Sequence, residues 1–174
     1  MNEDYSKIFD RISTAVNNIP TKVATVAVNF SKERFVEKNW INKRKISWKK
    51  TKKKRGSTLV ASGRLKRSIR KITVTPQYVS IGTDVPYARA HNEGLEISGT
   101  ESVKQHTRKQ HRRRSYIRKD KRIKAQIVKS HTVKQHSRKY KRKFVKRQFI
   151  GQSQELEDRI TKLINSEISK AIKG

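Results

Sequence analysis

The chain has 174 residues, of which 32% are hydrophobic and none is cysteine, and 45 basic against 14 acidic side chains give it a formal net charge of +31. That length suits one domain, yet so low an apolar fraction leaves much of the chain outside a core. Disulfides and cysteine-ligated zinc are excluded, and the surplus charge calls for a polyanion, an acidic partner or abundant counterions.

Met1-Asn2-Glu3-Asp4 opens with acids and no apolar stretch comes after it, so neither a secretion signal nor a membrane span is expected. Tyr5, Ile8, Phe9, Ile12 and Val16 recur at helical steps and predict a first amphipathic helix, which Asn17-Asn18-Ile19-Pro20 should end. Val23, Val26, Ala27 and Phe30 predict a second helix from about Thr21 to Glu37, with one face packed on a β-hairpin farther along the chain. From residue 39 to 57 periodicity fails. Lys43 to Arg55 holds nine basic residues and no acid, which reads as a solvated basic loop anchored by Trp40 and Trp48.

Beyond Leu59 the pattern becomes β-like. Ile72 and Val74 alternate with polar residues, Pro76-Gln77 can turn the chain, and Val79 and Ile81 alternate again, predicting that hairpin with one apolar face. After Gly94 to Thr100, Val103 to Arg147 carries 20 Lys or Arg and the single acid Asp120. Within it Val103-Lys104-Gln105-His106-Thr107-Arg108-Lys109 is echoed 30 residues later by Val133-Lys134-Gln135-His136-Ser137-Arg138-Lys139. Residues 100–146 therefore read either as a long antiparallel arm reversing near Asp120 or as a disordered basic insertion. Ser153 should cap a last helix with Glu155, Glu157 and Asp158 in its first turn and Lys170 and Lys173 in its last. Its apolar stripe is Leu156, Ile160, Leu163, Ile164, Ile168 and Ile172.

The expected fold class is α+β: an antiparallel sheet packed against N-terminal and C-terminal helices in a single domain spanning 1–174, with a basic loop and a basic arm or insertion. No phosphate loop, dinucleotide fingerprint or nucleophile elbow occurs, so catalysis and cofactors are not expected. His106 with His111, and His131 with His136, stand five apart, about 140° around a helix and on opposite faces of a strand, so no metal site is expected. His91 lacks a serine, cysteine or acidic pair at a spacing that would make it a general base.

Leu59, Gly63 and Leu65 precede the hairpin; Gly82-Thr83, Pro86-Tyr87-Ala88 and His91-Asn92-Glu93-Gly94 come after it. With Trp48 upstream and Arg147-Gln148-Phe149-Ile150-Gly151 downstream, this order resembles the phage virion morphogenesis or tail-completion family, which includes neck components of Mu-like phages. The resemblance runs from Phe30 onward, except for the stretch between Gly99 and Lys141. It implies a structural virion protein of the neck, assembled in the host cytoplasm. Such a protein forms a homo-oligomeric ring that joins head to tail, with portal or adaptor proteins on one side and tail proteins on the other. By residue chemistry, Gly63, Gly82, Pro86 and Tyr87 are fold positions, and Trp48 is a plug over the sheet or against a neighbouring subunit. The alternative is a basic nucleic-acid-binding protein. Arg112, Arg113 and Arg114 with Tyr116, and Lys139, Tyr140, Lys141, Arg142 and Lys143, interleave cations with rings that could contact packaged DNA or acidic proteins.

Overall fold

A computed structural model describes residues 2–51 and 57–173. Four cations of the basic loop, Lys52, Lys53, Lys54 and Arg55, fall outside the described residues. The chain forms two compact units, residues 1–95 with 143–174, and residues 96–142.

In the first unit, α1 (Asn2–Glu37) is one helix with Pro20 inside it, not two. Proline removes a helical N–H and costs about 3 kcal/mol in a helix interior. The offset comes from α4 (Gln154–Lys173), which lies antiparallel along α1 across that point. Arg159 of α4 pairs with Glu33 at 2.9 Å, Glu167 pairs with Lys22, and Ile172 lies near Ile8. Ser153 caps α4 as expected: its Oγ accepts the Leu156 N–H at 3.2 Å while donating to the Ile41 carbonyl at 2.6 Å. Leu156, Ile160, Leu163, Ile164 and Ile168 are half-buried, whereas Ile172 is exposed and Ala171 is buried in its place.

Residues 39–47 are not the expected loop. Asn39–Ile41 (β1) and Lys45–Ser47 (β2) pair antiparallel, because α1 ends with Lys38 in the left-handed conformation (φ 54°) and Trp40 can then insert beside Phe30. The core gathers Val28, Phe35, Trp48, Leu65, Ile69, Val85, Ala88 and Phe149. Phe35 is its hinge: the Trp48 ring meets it edge-on at 5.5 Å and the Phe149 ring at 4.9 Å. Arg34 is also buried, bonding Asn39 Oδ1 at 2.7 Å and stacking on Phe30 at 4.6 Å.

After α2 (Arg64–Ser68), strands β3 (Arg70–Val74) and β4 (Val79–Gly82) form the expected hairpin against α1, turning at Pro76-Gln77. Its apolar face is not the one alternation predicts. Lys71 pairs with Ile81 and Thr73 with Ser80, so Ile72 is an extra, unpaired residue. Such a bulge reverses the sense of alternation; Thr73 becomes half-buried while Ile72 and Val74 are exposed. A short α3 (Ala88–Glu93) comes next, and residues 144–150 then run as an extended strap beside it.

The second unit is a ladder of paired strands. β5 (Glu96–Val103) pairs with β12 (His136–Lys143), β6 (His106–Arg108) with β11 (His131–Val133), β7 (His111–Arg113) with β10 (Gln126–Val128), and β8 (Tyr116–Arg118) with β9 (Lys121–Ile123). The chain reverses at Lys119-Asp120, both left-handed (φ 48° and 57°), the signature of a two-residue type I′ turn.

Candidate functional site

The residues that carry the family resemblance divide between core and cleft. Trp48, Leu65 and Phe149 are core side chains. Trp48 also donates its indole N–H to the Gln148 carbonyl at 3.0 Å, so its plug lies within the subunit. Leu59, Gly63, Leu65, Tyr87 and His91 line a cleft of about 290 Å³, together with Arg64 and Arg147. Gly82 and Pro86 border a separate depression with Phe149. Gly82 lies beneath the bulge, where a Cβ would meet Ile72 Cγ1 at 3.3 Å. Thr83 joins its hydroxyl to Ser68 at 2.6 Å, and Gly151 sits beside Gln148 and Trp40.

Gly94 ends α3 in the left-handed conformation (φ 76°). The strap passes so close that a Cβ there would lie 2.9 Å from the Lys146 backbone. His91, one turn earlier, takes the Arg147 N–H on its carbonyl at 2.8 Å and meets the Phe144 ring at 4.9 Å. Burial first, and the positive charge of Arg147 second, hold its imidazole below the ordinary value of 6.5. Nδ1 of His91 is buried without a hydrogen-bond partner among the described residues. A neutral ring wedged between backbone and aromatics is a packing element, and among the described residues no nucleophile or carboxylate bonds it.

Sequence reasoning missed Asn92, which stood only as a spacer. Its Oδ1 accepts the N–H groups of Phe149 and Ile150 at 2.9 and 3.0 Å, and its Nδ2 donates to the Ile150 carbonyl at 3.0 Å. One side chain thus docks the strap to α3. Nothing in the local sequence signals it, since the partners lie 57 and 58 residues away.

The ladder holds the basic candidates. Arg112 pairs across to Ile127. Arg113 lies over Tyr116 at 4.9 Å and donates to its hydroxyl at 2.9 Å. Arg142 lies over Tyr140 at 4.7 Å, and Tyr140 covers Gly99. Lys141 pairs with Glu96 at 2.6 Å and Arg142 with Glu101 at 3.3 Å. Arg114, Lys139 and Lys143 are exposed. The four ladder histidines have a common role: Nδ1 of His106, His111, His131 and His136 donates to the carbonyl two residues earlier, at 2.9 to 3.2 Å. No cluster that could hold a metal ion occurs among the described residues, and no helix among them is long and apolar enough to cross a membrane.

The phage virion morphogenesis family model matches residues 32–169, which takes in all of the core but Val28, the cleft, the strap and most of α4. Neither a curated protein nor a solved structure matches the chain. With Trp48, the residues around Gly94 and the strap in place across that span, the chain belongs to the phage virion morphogenesis family.

Proposed function

We propose that the protein is a subunit of a homo-oligomeric ring at the head–tail junction of a bacteriophage, where it completes the neck and joins head to tail by shape and contact. Family membership supports a structural or assembly role. The observation that carries the ring is the first half of α1, where Tyr5, Phe9 and Val16 are 65%, 71% and 50% exposed. An apolar helical stripe left in water is the kind of surface that a neighbouring subunit covers. A ring multiplies the charge of each copy, so portal or adaptor proteins on one side and tail proteins on the other supply acidic surfaces, and the junction weakens as salt rises.

The test is twofold. Phage lacking the gene should accumulate separate heads and tails, and the purified protein should sediment as a closed oligomer that Phe9→Asp reduces to monomers. Intact particles without the gene product, or a wild-type monomer at every concentration, would overturn the reading.

A further inference from the structure

The echo of seven residues is part of a shorter and longer-running regularity. From Lys104 a basic residue recurs at every fifth position: Lys104, Lys109, Arg114, Lys119, Lys124, Lys129, Lys134 and Lys139. The ladder has the same period, with three paired residues and then two outside the strands. Opposite residues stay equidistant from the Lys119-Asp120 turn throughout, so the register holds across every gap. Each gap therefore holds one cation from each strand, one residue out of direct opposition: Lys104 with Lys134, Lys109 with Lys129, Arg114 with Lys124. Strand alternation places the two on opposite faces of the ribbon, so each face carries one cation per gap. All six are exposed, and among the described residues none has an acidic partner.

We propose that this ladder binds double-stranded DNA through its phosphates, with the gap cations of one face as the contact points. This inference goes beyond the neck assignment and holds wherever in the virion the subunit sits. Spacing favours a duplex. Strand alternation returns a cation of one strand to the same face every ten residues, which advance about 34 Å, and B-DNA repeats its phosphates every turn, also about 34 Å. Fixed spacing of this kind also distinguishes a regular polyelectrolyte from an acidic protein, whose carboxylates have no common repeat.

The experiment uses the full-length protein and fluorescence anisotropy across a salt series, with a 30-bp duplex, a single strand of the same length and polyglutamate as probes. One variant replaces Lys104, Lys109, Arg114, Lys124, Lys129 and Lys134 with Gln. A charge-matched control replaces the exposed Lys7, Arg11, Lys43, Arg44, Lys162 and Lys173 with Gln. Each phosphate contact contributes about 0.9 to the log–log salt slope, and a duplex on one face meets three of the six cations, so the ladder variant should lose about 3 from it while the control keeps its slope. A third variant with the five gap lysines changed to Arg should bind like wild type, which separates loss of charge from loss of fold. Equal losses in ladder variant and control would overturn the proposal. So would polyglutamate or the single strand binding as tightly as the duplex.

Discussion

The side-chain amide of Asn92 and the backbone of Ile150 bond each other in both directions, Oδ1 accepting the Ile150 N–H and Nδ2 donating to the Ile150 carbonyl. This clasp fixes the strap on which Phe149 enters the core. Asn92→Leu leaves three strap groups without partners and should destabilise the protein by about 2–4 kcal/mol in urea unfolding. Asn92→Asp retains the acceptor for both N–H groups and should cost less.

Gly94 and Gly82 separate two kinds of crowding. At Gly94 a Cβ would meet immovable backbone in a conformation that disfavours side chains, whereas at Gly82 it would meet the Ile72 side chain, which can shift. Gly94→Ala should therefore lower Tm by several degrees, corresponding to about 2 kcal/mol or more, and Gly82→Ala by clearly less. Equal Tm values for the two variants would contradict this.

Because α1 runs unbroken through Pro20, Pro20→Ala restores a helical hydrogen bond and should stabilise the protein by up to about 3 kcal/mol, read from the urea midpoint. A chain broken at residue 20 would show no gain.

His91 gives a pH signature. Its folded pKa lies below 6.5, so as pH falls through 6.5 the unfolded chain takes up a proton that the folded protein refuses. Stability falls from there until the depressed folded value is reached, and is fully present above 6.5. His91→Phe removes this contribution, and the variant's Tm should decline less than wild type between about pH 7 and pH 5. Parallel Tm curves would refute the assignment.

Much of the fold was legible because it is written in local pattern. Both terminal helices show three-and-four spacing, Ser153 stands where a cap belongs, and Pro76-Gln77 turns the hairpin. The resemblance named residues that the fold distributes among the cleft, the strap and the core, Trp48 and Phe149 among them, but gave neither those features nor their contacts. Illegible were Asn92, whose partners are remote, and Arg34, whose burial depends on Asn39 entering the core beside it.

By itself the sequence determined the α+β class, the family, the charge surplus and its concentration in residues 103–147, since each comes from composition or from the order of neighbouring residues. Tertiary structure decided the continuity of α1, because α4 bridges both sides of Pro20. It also decided the exposed face of β3, because one bulged residue reverses alternation, and the grouping of gap cations, because only strand pairing brings residues 10, 20 or 30 apart into one gap. The physical reason is the same in each case: local patterns fix what a segment prefers, while burial and long-range hydrogen bonds decide which preference prevails.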